Sequence, residues 1–390
     1  MKPRVLTILA VLLLLSTQAL DLAAAQSPVS ELVILGPTYT NTDLLQRYIP
    51  INVGEPTNTA QLLLAQERID ALNVTASTNI SRVDSRVLVR ITDGQGFVVE
   101  PLEFTVSSLI NLMLGNLKLV YHNLFGYAIN PYINYNLSTD EAYYGIQTPG
   151  WLLPVYHDLG YHVHEDTYPT DHQDLWIDKK EGYWQVSYIP APGWRPSGKL
   201  VYSHRESPGS TSPHSDSTWW LYEMNIPYRY SSSEVDYRLG YTHLVGFSSH
   251  QTSFEKREGN ISLLLKNKPY NLHLQARLGT SSADTPPDQR YYLGGEEIQP
   301  GYPEKSFWGL SLASYKFEVG YELIPESLQL KFLAEFSQIG DSLSSLSRSN
   351  VKKSLGFGLN LPNPSGLLEI FVATPSNQWN PRFSMRFRLY

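Results

Sequence analysis

The sequence predicts an all-β transmembrane barrel of about sixteen antiparallel strands preceded by a small α/β domain. Three observations lead there. Segments of some ten residues with alternating character recur from about residue 98 to the end. The mature chain has no apolar run approaching the ~20 residues of a spanning helix, so entry into a membrane requires a closed barrel. The 26 Tyr, 13 Phe and 8 Trp suit aromatic girdles at two membrane interfaces.

The chain opens with Lys2 and Arg4, an apolar run from Val5 to Leu15, and the small residues Ala23-Ala24-Ala25 before Gln26. This pattern reads as an export signal, so residues 1–25 are set apart from the fold. Export leads to an oxidising compartment, yet Cys is absent, which excludes a disulfide scaffold, a thiol nucleophile and cysteine-ligated metal. A formal net charge of −7 argues against a nucleic-acid partner, because phosphate binding relies on a basic surface.

Residues 29–93 read as a β-α-α-β-β unit. Leu32-Val33-Ile34-Leu35-Gly36 is an apolar strand. Asn41 or Thr42 caps a helix through Leu45 and Tyr48. Ile51-Asn52-Val53-Gly54-Glu55-Pro56 turns into a second helix, with Leu62, Ala65, Ile69 and Leu72 at three- and four-residue spacing. Strands at Val74–Ile80 and Arg86–Ile91 close the unit, and Gly94 and Gly96 mark its end.

From residue 98 onward, period two dominates. In Asn271-Leu272-His273-Leu274-Gln275-Ala276-Arg277-Leu278 every second residue is apolar, so one face meets an apolar medium and the other meets water. Val235–Tyr241 and Phe383–Leu389 read alike; their Arg side chains face a lumen, since lipid exposure of Arg is costly. A soluble β-sandwich also alternates. The barrel is favoured by length, because about 290 residues accommodate about sixteen crossings of roughly ten residues with their connections. Trp219-Trp220, Tyr143-Tyr144 and Tyr291-Tyr292 fall near expected strand ends and are assigned to the girdles.

The order of elements in residues 29–93, with its opening strand ending in Gly and its Val-Gly-x-Pro turn, resembles a POTRA domain. Tyr292-Leu293-Gly294-Gly295-Glu296-Glu297-Ile298-Gln299-Pro300-Gly301-Tyr302-Pro303 resembles the inward-folded loop of BamA/TamA-type outer-membrane assembly and secretion barrels, the bacterial surface antigen superfamily. Asn123-Leu124-Phe125-Gly126, Ser354–Leu359 and Pro364–Glu369 resemble that family's early and closing strands. The resemblance implies an outer-membrane location in a Gram-negative bacterium, with the N-terminal domain in the periplasm. It also implies that the POTRA-like domain receives unfolded outer-membrane or secreted client proteins, which the barrel inserts or secretes without a cofactor. Outer-membrane lipid, periplasmic chaperones and lipoproteins are the other partners it suggests. The alternative is a passive pore or structural barrel that has lost transport.

Two departures from the family pattern stand out. The resemblance places the inward loop motif at Gly294, Gly295, Pro300, Gly301 and Tyr302, and its luminal contact at Phe336, Gln338 and Gly340. The family's loop Arg is Pro300 here, and the acidic partner in its Phe-x-Asp-x-Gly motif is Gln338. Both halves of that ion pair are therefore expected to be missing together, which is physically consistent: losing one member of a buried pair costs about 3–5 kcal/mol, whereas replacing both is nearly neutral. In addition, Tyr390 falls in phase with Arg386 and Arg388, an atypical end for a barrel substrate. The expected seam strands are Leu102–Val106 and Phe383–Leu389.

No catalytic constellation emerges: Ser342–Ser349 lacks a Gly-x-Ser-x-Gly elbow, and there is no phosphate loop or telling carboxylate pair. His162-Val163-His164 sets two imidazoles on one strand face, and Asp171-His172-Gln173-Asp174 adds further donors. Polar luminal or loop positions account for these residues without a closed ligand set, so no metal is expected and the chain is read as a non-enzyme.

Overall fold

The computed structural model describes residues 27–100, 116–136, 141–150, 153–169, 174–207, 216–248, 252–295, 299–325, 327–346, 350–363, 366–376 and 380–389. The export signal, Leu102–Val106, Asp171-His172-Gln173 and Tyr390 lie outside these residues.

The N-terminal elements are β1 (Glu31–Leu35), α1 (Thr42–Tyr48), α2 (Thr59–Asp70), β2 (Thr75–Val83) and β3 (Arg86–Asp93). They form a sheet of order β1-β3-β2, with β1 parallel and β2 antiparallel to β3. Asn41 caps α1 by accepting from the amides of Asp43 at 2.8 Å and Leu44 at 3.2 Å. Asn58 and Gln61 close a reciprocal capping box on α2. Val87, Val89 and Ile91 of β3 pack with Leu45, Tyr48, Ala65, Ile69 and Leu72 into one core.

This core continues into the second sheet, for Ala128, Tyr156 and Ile189 belong to the same cluster. Polar contacts reinforce the join. Tyr48 donates its hydroxyl to Val155 O at 2.8 Å, Arg68 donates Nε to Ile189 O at 2.9 Å, and Tyr156 donates its hydroxyl to Arg68 O at 2.7 Å. Glu67 receives the Gly193 amide at 2.9 Å, and Asn130 donates Nδ2 to Leu72 O at 2.9 Å. Burial pushes the Tyr48 phenol up to about 12 and raises Glu67, the latter offset in part by the Gly193 amide.

Among the described residues the second sheet has sixteen strands in an antiparallel meander. They are β4 (Gly96–Glu100), β5 (Asn116–His122), β6 (Asn130–Asn136), β7 (Glu141–Pro149), β8 (Val155–Pro169), β9 (Asp174–Tyr188), β10 (Ser197–Glu206), β11 (Asp216–Ser231), β12 (Val235–Ser248), β13 (Phe254–Asn267), β14 (Tyr270–Ser281), β17 (Ser311–Ile324), β18 (Leu328–Gly340), β19 (Lys352–Asn363), β20 (Gly366–Pro375) and β21 (Arg382–Leu389). Two short strands, β15 (Tyr291–Leu293) and β16 (Phe307–Gly309), form a hairpin in the connection from β14 to β17. Among the described residues no ladder joins β4 to β21.

The two faces of this sheet are inverted relative to a water-soluble protein. Trp176, Trp184, Tyr202, Trp220, Phe317, Phe332 and Phe357 are exposed, whereas Lys179, Arg205, Lys331, Glu335 and Glu369 are buried. Contiguous apolar surface of this extent is uncommon on soluble monomers. An apolar medium outside and a charged interior account for both rows. Ring pairs such as Phe332–Phe357 at 5.2 Å and Tyr202–Trp220 at 5.1 Å join adjacent strands on the outer face.

The same period corrects the aromatic assignment. Trp220 is exposed, but Trp219 is fully buried against Phe254 on the inner face. Tyr144 is exposed, while Tyr143 stacks on His162. Adjacent residues of a strand point to opposite faces, so each doublet places only one ring outward. Tyr291-Tyr292 places neither there, because both belong to the β15 hairpin.

Candidate functional site

The connection between β14 and β17 enters the interior and touches both sides of it. At its root, Ser281 N donates to Leu310 O at 2.7 Å and Leu310 N donates to Gly340 O at 2.9 Å. Tyr291, Leu293 and Leu312 are buried together, with Phe307 and Ile339 packed on them. Apolar packing thereby seats the hairpin on the inner face of β17 and β18.

The expected loop motif forms a tight turn at the tip of this hairpin. Gly295 N donates to Tyr302 O at 3.1 Å and Gln299 N to Gly295 O at 3.1 Å. Gly294 has φ +111°, and a Cβ there would lie 1.9 Å from Pro303 O; any side chain would break the turn. Gly301 has φ +91°, and a Cβ would come within 3.0 Å of the Thr374 backbone, so the loop tip is pressed directly onto β20.

Pro300 is buried at this tip and offers no charge. Its neighbour Gln299 supplies the contact to the wall: fully buried, it donates Nε2 to Ser354 Oγ of β19 at 3.0 Å. Tyr302 donates its hydroxyl to Lys353 O at 3.4 Å, and its ring meets Phe307 at 5.3 Å.

The charged anchor lies twelve residues earlier, on the opposite side of the interior. A 3-10 turn at Pro287–Gln289 presents Asp288. Its Oδ2 lies 2.8 Å from Lys179 Nζ and its Oδ1 3.0 Å from Arg205 Nη1. The three side chains are 1%, 4% and 2% exposed respectively. Lys179 and Arg205 stand directly opposite each other on β9 and β10, so Asp288 places one shared counter-charge between two cations that would otherwise repel more strongly in a buried setting. Tyr168 faces Lys179 at 5.0 Å and Trp219 faces Arg205 at 5.4 Å, adding cation–π contacts. Lys305 forms a second clip, pairing with Asp166 and donating to Thr167 O at 3.0 Å. Lys256 Nζ donates to Gln289 O at 2.9 Å, tying the same turn to β13.

The expected luminal contact is displaced by one residue. Tyr315↔Phe336 and Ala313↔Gln338 are opposite pairs on the row that carries exposed Phe317 and Phe332. Phe336 and Gln338 therefore belong to the outer face. The inner row holds Glu335, Ser337 and Ile339; Glu335 accepts from Ser314 Oγ at 3.1 Å. Gly340 contacts the connection through its backbone carbonyl. Asp288 was invisible in the sequence because its role depends on the register that aligns Lys179 with Arg205; the available signal was one acid in the turn before Leu-Gly-Gly.

A cavity of about 1050 Å³ remains beside the hairpin, lined among others by Asp166, Lys256, Arg277, Pro300 and Tyr302. The arrangement is a plug fastened to two separate parts of the sheet, with a cavity partly lined by charged side chains next to it.

No family model and no curated protein matches the sequence. Solved structures do match. BamA from Haemophilus ducreyi lacking POTRA domains 1–3 is 11% identical, with a TM-score of 0.63 over 94% of this chain and 84% of that one. CdiB from Acinetobacter baumannii is 12% identical, with a TM-score of 0.67 over 93% of this chain and 74% of that one. CdiB from Escherichia coli is 13% identical, with a TM-score of 0.60 over 94% and 75%. Identities this low speak for the fold alone. In fold, this chain with its antiparallel sheet is similar to the BamA and CdiB barrels over most of its length.

Proposed function

We propose that the chain is a bacterial outer-membrane barrel that takes protein clients from the periplasm and inserts them into the membrane or passes them through it. In this reading residues 1–25 direct export, residues 29–93 are a POTRA-like periplasmic domain, and residues 98–390 close into the barrel. The observation that carries the reading is the inward connection, fastened by Asp288, inside a sheet with the BamA and CdiB fold. Two further features support it. β1 and β2 each pair on one side only among the described residues, leaving edges on which an extended client segment can add a strand. The terminal strands β4 and β21 are not paired with each other among the described residues, and an unpaired strand edge can template a client strand. Client folding would supply the energy, with no nucleotide or metal in the cycle.

Deleting residues 29–93 tests the reading in reconstituted vesicles. A client-handling barrel loses client insertion or passage while the vesicles keep their conductance. Unchanged client handling after the deletion contradicts the proposal and favours a passive pore.

A further inference from the structure

His162 and His164 stand on the inner face of β8, their rings stacked at 4.3 Å with 18° between planes. Tyr143 of β7 stacks on the other side of His162 at 3.8 Å. Glu181 of β9 is the register partner of His162, with Oε2 3.8 Å from His162 Nδ1. One donor atom from each of the three residues lies within 4.8 Å of the others. His162 Nε2 and His164 Nδ1 are buried without a hydrogen-bond partner among the described residues, although buried imidazole nitrogens are ordinarily satisfied.

We infer that His162, His164 and Glu181 form a binding site for a divalent transition-metal ion, with Zn²⁺ as the matching probe. Two imidazoles and one carboxylate are a zinc donor set. Mg²⁺ and Ca²⁺ are disfavoured, because they prefer all-oxygen ligands. Zinc bonds of about 2.0–2.1 Å bring tetrahedral donors to roughly 3.4 Å apart, and because a metal lies in the plane of each imidazole that binds it, binding must turn the two stacked rings out of their near-parallel arrangement. The carboxylate is oriented independently: Ser203 donates its hydroxyl to Glu181 Oε1 at 2.8 Å, as outer-shell partners of metal ligands do. Lys179 is the register partner of His164 and would repel a cation, but its ion pair with Asp288 at 2.8 Å reduces that repulsion. Three ligands bridging β8 and β9 leave a fourth position for water.

The test is calorimetric titration of Zn²⁺ into the purified full-length protein in detergent after chelator treatment, with Co²⁺ absorption as a coordination readout. One ion per chain is expected. His164→Ala and Glu181→Gln should each weaken binding by about tenfold or more, and His164→Gln serves if the Ala variant fails to fold. His243→Ala, whose ring pairs with Glu255 on β13, should leave the isotherm unchanged. Absence of binding overturns the inference, and so does an isotherm untouched by the His164 and Glu181 variants. Weak multisite binding reduced equally by His243→Ala would show an adventitious ion only and would also overturn it.

Discussion

Asp288 and Lys179 lie 2.8 Å apart, fully enclosed, and this pair fastens the inward connection to β9. Where the resembling family pairs a loop cation with a wall acid, this chain sets the acid on the loop and two cations on the wall.

Asp288→Asn removes the carboxylate that pairs directly with both Lys179 and Arg205, and the expected loss is about 3–5 kcal/mol. Hydrogen exchange should show residues 288–295 and 299–309 deprotected while β11–β13 remain protected. Pro300→Ala, which removes no charge, should change neither. Equal protection in Asp288→Asn and the parent would show that packing alone seats the connection.

Gly279 of β14 lies under the Tyr291 ring, and a Cβ there would approach the ring to 2.4 Å. Gly279→Ala should therefore dislodge Tyr291 and destabilise the protein by about 1–3 kcal/mol. Combined with Tyr291→Ala it should cost less than the sum of the two single changes. Additive costs in urea unfolding would contradict the contact.

Arg68 donates to Ile189 O at 2.9 Å and lies over the Tyr188 ring at 5.4 Å. Arg68→Ala should loosen the N-terminal unit from the sheet by about 1–3 kcal/mol, leaving a buried carbonyl unsatisfied. Cross-links between engineered cysteines in α2 and the 189–196 turn should weaken, while the β18–β19 ladder stays intact.

Asp93 accepts the amides of Thr38 at 2.8 Å, Tyr39 at 3.0 Å and Thr40 at 2.6 Å. Burial raises its pKa, but these donors outweigh burial and hold it below the usual carboxylate value. A depressed pKa contributes stability that is present above the unfolded value of 3.8 and is lost as pH falls through the lower folded value. Asp93→Asn should thus weaken protection of the Thr38–Thr40 amides at pH 7, by roughly 1 kcal/mol given its partial exposure. The difference from the parent should vanish in strong acid; a difference that persists there would rule out the charged form as its source.

Local pattern was enough to read much of this architecture. Alternation in Asn271–Leu278 reports which medium each face meets, and that is set residue by residue; Arg277 duly pairs inside with Glu258 at 2.6 Å. Asn41 acts as the cap its position suggested, since capping depends on neighbours two and three residues away. The Leu-Gly-Gly and Gly-Tyr elements mark a turn that only glycine permits. What depends on register escaped: the Lys179–Arg205 pairing that needs Asp288, the meeting of His162 with Glu181, and the outward phase of Gln338. A shift of one residue moves a side chain through the sheet, and short motifs do not fix that shift.

The most direct test of the central claim is the rate at which an unfolded outer-membrane barrel becomes protease-resistant in liposomes containing this protein. Parent and Pro300→Ala should accelerate folding over empty liposomes, and Asp288→Asn, at matched amounts of folded protein, should lose about tenfold or more of that acceleration, the equivalent of 1.4 kcal/mol in the rate-limiting step. No acceleration by the parent, with steady conductance in the same vesicles, would contradict the account.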